Sequence, residues 1–349
     1  MDLWQTLANT NRPILLYGMG NGADKIVQRL AQHGASVADF FASDGFVRGQ
    51  LFHGKPVLSR TEALSRYPDA IVLLAFGSAR DEVLDAINEI RATHTLLVPD
   101  VPVFGDNLFT KEFYTENEAS FTAARDLLGD ERSKVLFDDL VRFKLSGDPS
   151  HLWDTQSLSD TITECLHPAD YRFCLDLGAY VGDTAEMMLG LCPQVTRIDA
   201  WEPDPKTFVK LTRFADSHPT VHPIRSASLD YTGQVDFAVS GNRNAGIDAP
   251  GKVAPVSCTA IDDRYLEDPP DFIKIDVEGA ERPTLIGAAE TLRCHRPDLL
   301  ISLYHRSEDL YDLPLLLHSI CPDYKLSLRR DKGLPAWDIV LTATCCATE

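Results

Sequence analysis

The sequence predicts an α/β protein: two Rossmann-like units joined by a helical connector. Three observations predict it. Short apolar runs alternate with helical periodicity at both ends of the chain, which is the pattern of a parallel sheet. Each half opens on a strand followed by a glycine-containing turn, at Gly18–Ala23 and at Gly178–Gly182. The 349 residues exceed one ordinary domain and suit two.

In the first unit, placed at residues 1–117, Pro13 to Tyr17 is a short apolar strand. Gly18-Met-Gly20-Asn-Gly22-Ala23 turns the chain into a helix over Asp24–His33, with Ile26, Val27 and Leu30 on one face and Gly34 as its stop. Ser36 to Ala42 reads as the next strand and Ala70 to Phe76 as a third. An amphipathic helix follows over Ala79–Arg91, then a strand at Thr95–Val98 closed by Pro99. Over residues 118–170 the pattern becomes helical and more polar. Phe121, Ala124, Leu127 and Leu128 recur at helical spacing, as do Val135, Leu136, Leu140 and Phe143, until Gly147-Asp-Pro149 breaks the chain. This is the connector, and a candidate wall over an active site.

The second unit, residues 171–349, shows strands at Phe173–Leu177, Arg197–Trp201, Val221–Ala227, Phe272–Val277, Leu299–Tyr304, Tyr324–Arg329 and Asp338–Thr342. A hairpin is expected at Asp230–Val239, where Tyr231-Thr-Gly-Gln234 separates two β-prone runs. Asn242 to Gly251, rich in Gly, Asn and Asp, is expected to be a mobile loop.

Composition bounds the function. With 44% hydrophobic and 24% charged residues the chain is globular. A net charge of -19 argues against nucleic acid or an anionic membrane as the main partner, since each needs a basic face. Met1 to Arg12 lacks the basic-then-apolar pattern of a signal peptide, and no apolar run approaches ~18 residues. The eight cysteines form no Cys-x-x-Cys pair, so the expectation is a cytoplasmic protein with reduced structural thiols.

The chemistry concentrates where strands of the second unit end. Ligands of open parallel sheets bind beyond the carboxyl ends of the strands, and Asp176, Glu202, Asp276 and His305 all fall there. Asp176-x-Gly178-x-x-x-Gly182 is a turn that glycine opens to close backbone approach. Glu202, about twenty residues beyond the turn, is placed to take both ribose hydroxyls. This spacing differs from the dinucleotide pattern and suits S-adenosylmethionine, which has no pyrophosphate. In Asp271-Phe-Ile-Lys-Ile-Asp-Val-Glu-Gly-Ala280, period two puts Lys274, Asp276 and Glu278 on one face. Charges in a central strand are costly unless they pair or serve a site.

Four runs carry a family resemblance: Asp176-Leu-Gly-Ala-Tyr-Val-Gly-Asp183, Trp201-Glu-Pro-Asp-Pro205, Phe272-Ile-Lys-Ile-Asp-Val-Glu-Gly-Ala-Glu281 and Arg296-Pro-Asp-Leu-Leu-Ile-Ser-Leu-Tyr-His305. Over residues 171–345 the chain resembles the FkbM-type S-adenosylmethionine-dependent methyltransferases. The resemblance implies a class I methyltransferase fold with seven strands, the last antiparallel. It implies methylation of a hydroxyl on a small molecule, sugar or glycan. By position, Asp176, Gly178 and Gly182 would line the methionine part of the cofactor and Glu202 would hold the ribose. Ala179, Tyr180, Asp183 and Pro203 complete the implied cofactor wall. Asp276, Glu278 and His305 would border the methyl-transfer site. Trp201 stands where the family usually has Phe.

Methyl transfer needs acceptor oxygen, carbon and sulfur held in line, and an alcohol acceptor must lose a proton. His305 or Asp276 is the candidate base, with Lys274 or Glu278 orienting it. In an alternative, Asp276, Glu278 and His305 hold a divalent ion; the leading assignment includes no metal.

The first unit offers a possible second site. Gly18-x-Gly20-x-x-Ala23 follows a strand and opens a helix, with Asp44 about twenty residues on, the context of a dinucleotide fingerprint. It also resembles the N-terminal nucleotide-binding domains of sugar acyltransferases, in which Gly-Lys-Pro-Val (Gly54 to Val57) follows the second strand. The competing function is therefore a nucleotide-, nucleotide-sugar- or NAD-binding protein that works through this unit.

Overall fold

The computed structural model describes residues 1–239, 246–247 and 252–345. Two sheets dominate. The first has five parallel strands in the order Leu58–Ser59, Asp39–Ala42, Ile14–Tyr17, Ile71–Leu74, Thr95–Leu97. The second has seven, in the order Val221–Ile224, Arg197–Trp201, Phe173–Leu177, Phe272–Ile275, Asp298–Ser302, Ile339–Thr344, Lys325–Arg330. The first five of these run parallel. Ile339–Thr344, last in the chain, inserts antiparallel to both its neighbours. This is the class I methyltransferase arrangement. Strand order reverses about Phe173–Leu177, which opens a crevice at its carboxyl end.

The strands of both sheets that flank the crevices are buried along their whole length, as in Ile14–Tyr17 and Phe173–Leu177. That is why the sequence shows continuous apolar runs there rather than alternation. Each fully buried Leu, Ile or Phe contributes about 1.5–3 kcal/mol against exposure. One continuous core joins the two sheets through the connector: Phe109, Phe121, Leu136 and Phe143 pack with residues of both.

The connector helices include Glu118–Asp126, Glu131–Ser146 and Leu158–Cys165. Asp130 caps the second by accepting the Ser133 N–H at 2.8 Å, and Gly147 ends it at φ 68°. Ser133 Oγ also accepts the Leu328 N–H at 2.8 Å, tying this helix to the edge of the second sheet. Phe121 stands edge-on to Tyr311 of helix Asp309–Ile320, 4.7 Å between centroids. Ser78 and Leu334 exchange backbone hydrogen bonds of 2.8 and 3.0 Å, a direct bridge between the first unit and the last loop of the second.

The expected tight hairpin is corrected. Gly233–Ala238 pairs antiparallel with Val253–Thr259, from Gly233 opposite Cys258 to Ala238 opposite Val253. Ala227–Ser228 joins the far side of Val253–Thr259 in parallel. A partner as long as Val253–Thr259 satisfies the backbone of the whole strand, which the two residues at 227–228 cannot. The loop expected over 242–251 lies outside the described residues, apart from Gly246 and Ile247. Among the described residues no helix is long and apolar enough to cross a membrane.

Candidate active site

Strand Phe173–Leu177 runs into Gly178 at φ 79°, and the turn closes at Gly182, φ 101°, before helix Asp183–Leu191. The Gly178 and Ala179 N–H groups donate to the Trp201 carbonyl at 3.0 and 2.8 Å. A Cβ on Gly178 would overlap the Asp276 carbonyl, and one on Gly182 would come within 2.5 Å of the Phe214 ring. The glycines are needed first so that the turn can sit against neighbouring protein, which explains their spacing without appeal to a ligand.

A cavity opens at this turn. Gly178, Tyr180, Asp183, Glu202 and Pro203 line one part, and Lys274, Asp276, Glu278 and Tyr304 another. Gln156, Thr161, Asp331 and Asp338 form a further wall, so the end of the connector does reach the site. Asp176, Ala179 and Gly182 lie behind the surface, and His305 is not on it. Among the described lining residues, Asp183, Glu202, Asp276, Glu278, Asp331 and Asp338 are acidic and Lys274 alone is a cation. Such walls disfavour a pyrophosphate and favour a ligand with positive charge and hydroxyl donors. S-adenosylmethionine has both.

Glu202 follows strand Arg197–Trp201 and is buried, with its Oε1 accepting the Asp204 N–H at 2.8 Å. Burial pushes its carboxyl up to about 7. A buried carboxylate with spare acceptor capacity fits a ribose diol, which brings two donors.

Asp176 is buried beneath the turn, its Oδ1 3.1 Å from Lys274 Nζ. Lys274 Nζ also donates to the Gly178 carbonyl at 2.8 Å and stands 3.7 Å from Asp276 Oδ2. Burial alone would lower the lysine, but Asp176 and Asp276 outweigh it and hold Lys274 above its ordinary value. Burial pushes Asp276 up, yet Lys274 and His305 keep it below the usual carboxylate range. Tyr304 donates its hydroxyl to Asp276 Oδ1 at 3.2 Å.

The strand carrying these groups ends at Ile275, two residues before the expected Val277. Glu278 therefore does not continue the alternation. It adopts φ 56°, and the turn swings its carboxylate towards His305. Burial raises Glu278 above its ordinary value against the pull of His305.

His305 is fully buried. Its Nδ1 lies 2.9 Å from Glu281 Oε1, and its Nε2 lies 3.4 Å from Glu278 Oε2 and 3.6 Å from Asp276 Oδ1. Glu281 closes the Asp276–Glu281 run, and its spacing alone does not mark it as a site residue. Its Oε1 accepts the Val277 N–H at 2.9 Å and the Gly279 N–H at 3.4 Å. Phe104 had no signal at all. Its ring packs against Gly279 and stands 5.9 Å from the imidazole, and its N–H donates to the His305 carbonyl at 2.9 Å. Lys25 steadies that segment by donating to the carbonyls of Pro102 and Val103 at 3.1 and 2.9 Å.

In the first unit, Gly18 and Gly20 take φ 121° and 106°, and helix Asn21–Gln32 starts there with Ala23 buried. A Cβ on Gly18 would meet the Phe76 ring at 2.7 Å. The Asp44 carboxylate accepts the Arg60 N–H at 3.0 Å.

Comparison with known proteins agrees with this fold. Residues 176–320 match the methyltransferase FkbM domain. A hexuronic acid methyltransferase, AglP of Haloferax volcanii, is 27% identical over 171 residues, covering 47% of this chain and 69% of the relative. The crystal structure of methyltransferase FkbM from Methylobacillus flagellatus KT superposes with a TM-score of 0.70 at 22% identity. That likeness covers 95% of this chain and 89% of the other, so the fold is shared across both units.

Proposed function

Because this chain carries an FkbM methyltransferase domain that uses S-adenosylmethionine, we propose that it transfers the methyl group to a hydroxyl oxygen of a sugar or similarly hydroxyl-rich acceptor. The observation that carries this is the acidic cavity, with the Gly178–Gly182 turn and Glu202 on one side and Asp276, Glu278 and Tyr304 on the other. Similarity to a hexuronic acid methyltransferase supports a sugar acceptor.

The cofactor supplies a methyl carbon activated by a sulfonium. The protein's part is to align the acceptor and to take its proton. Glu202 binds the ribose hydroxyls, and the Gly178–Gly182 turn holds the amino-acid end. Asp276, fixed by Lys274 and Tyr304, orients the acceptor hydroxyl. Glu278 accepts the proton: it lines the cavity, and its raised pKa makes it the stronger base of the two carboxylates. His305, expected as a base, lies behind both and acts through them. Asp331 and Asp338, on the further wall, accept hydrogen bonds from the other acceptor hydroxyls. The first unit works as a scaffold that brings Phe104 against this wall.

The test is methyl transfer from labelled cofactor to a panel of neutral glycosides, uronates and glycans, with the product linkage read by mass spectrometry and NMR. An O-methyl sugar is expected, and Glu278→Gln should cut kcat by roughly 10²–10⁴ while S-adenosylhomocysteine affinity is kept. Methylation at nitrogen or carbon only would overturn the reading.

A further inference from the structure

We propose that Asp276, Glu281 and His305 form a site for one divalent transition-metal ion of the Mn²⁺ or Zn²⁺ kind, behind the cavity wall. Each of the three offers one ligand atom, and these atoms lie within 4.8 Å of one another.

A second observation points to a missing ligand. Both ring nitrogens of His305 are buried and neither makes an aligned hydrogen bond, although carboxylate oxygens stand 2.9, 3.4 and 3.6 Å away. Glu281 Oε2 is likewise buried without a hydrogen-bond partner. Leaving such groups unsatisfied is expensive. An ion among these three residues would satisfy the ring nitrogen it binds and the buried Glu281 Oε2 together.

Charge agrees. Two carboxylates and a neutral imidazole balance a divalent ion. One nitrogen and two oxygens suit Zn²⁺ or Mn²⁺ better than an all-oxygen ion such as Ca²⁺. The Val277 and Gly279 N–H groups hold Glu281 from behind, as outer hydrogen bonds hold metal ligands. Asp276 is half-buried and faces the cavity, so an ion bound there keeps open positions towards a substrate. Its use, acidifying the acceptor hydroxyl next to Glu278, rests on the methyl-transfer reading above; its binding does not.

The experiment is titration of the metal-stripped full-length protein with Mn²⁺, followed by electron paramagnetic resonance, and with Zn²⁺ by calorimetry. S-adenosylhomocysteine binding and circular dichroism are measured on the same samples. One equivalent of ion should bind, and Asp276→Asn and Glu281→Gln should each weaken it by roughly tenfold or more with the fold intact. Should Glu281→Gln not fold, Asp276→Asn at its half-buried position carries the test. Folded protein that binds neither ion, or binding that survives the substitutions, overturns the site. Loss of S-adenosylhomocysteine binding alone counts against the methyl-transfer reading and leaves the ion result standing.

Discussion

Phe104 donates its backbone N–H to the carbonyl of His305 at 2.9 Å, while its ring stands edge-on to the imidazole. Two segments far apart in sequence thus meet behind the wall of the cavity. The contact fixes the strand end from which His305 faces Asp276 and Glu278.

Phe104→Ala should therefore act on turnover rather than on cofactor binding. Loss of the buried ring costs about 3–5 kcal/mol of stability. Displacement of the His305 wall should lower kcat roughly ten- to a hundredfold, with S-adenosylhomocysteine affinity within a factor of about two. Steady-state kinetics beside calorimetry decide it; unchanged kcat in folded protein would show that the contact is only structural.

Lys274 sits between Asp176 and Asp276 with all its charge buried. Lys274→Met leaves Asp176 buried without a counter-charge and should destabilise by roughly 3–5 kcal/mol, read from urea unfolding. Adding Asp176→Asn should restore part of that. If the double variant is no more stable than the single, the pair is not the origin of the loss.

Glu202 gives a pH dependence. Its folded-state value of about 7 lies above the ordinary 4.5, so the native state holds this proton more tightly than the unfolded one. Stability from this group is full below about 4.5 and falls as pH rises, until the group ionises near 7. Ribose hydroxyls donate best to the ionised carboxylate, so S-adenosylhomocysteine should bind more tightly at pH 8 than at pH 6. Glu202→Gln should bind weakly and lose this dependence. A wild-type affinity that is flat with pH would contradict the assignment.

Gly178→Ala should be tolerated poorly. At φ 79° an L side chain is strained, and its Cβ would overlap the Asp276 carbonyl. Strain and overpacking together should cost about 3 kcal/mol or more, measured as a drop in Tm. Since Asp276 must shift, activity should fall even at temperatures where the variant is folded.

The sequence alone was enough to place most strands of the two sheets and the turn at Gly178–Gly182. Continuous apolar runs and glycine turns are local signals, and strands such as Phe173–Leu177 and Arg197–Trp201 stand where those signals put them. It also placed Asp176, Glu202, Asp276 and His305 at strand ends, because parallel strands deliver their last residues to one edge. Tertiary structure alone decided which of these side chains reach the cavity. Asp176 and His305 lie behind it, while Glu278 is turned onto it by a backbone that leaves the strand at Ile275. The pairing of Gly233–Ala238 with Val253–Thr259, the cover of Phe104 over His305 and the cluster of Glu281 with Asp276 were likewise settled in three dimensions. The physical reason is range. Periodicity and turn chemistry act over a few residues, whereas burial, charge compensation and side-chain facing depend on segments that only packing brings together.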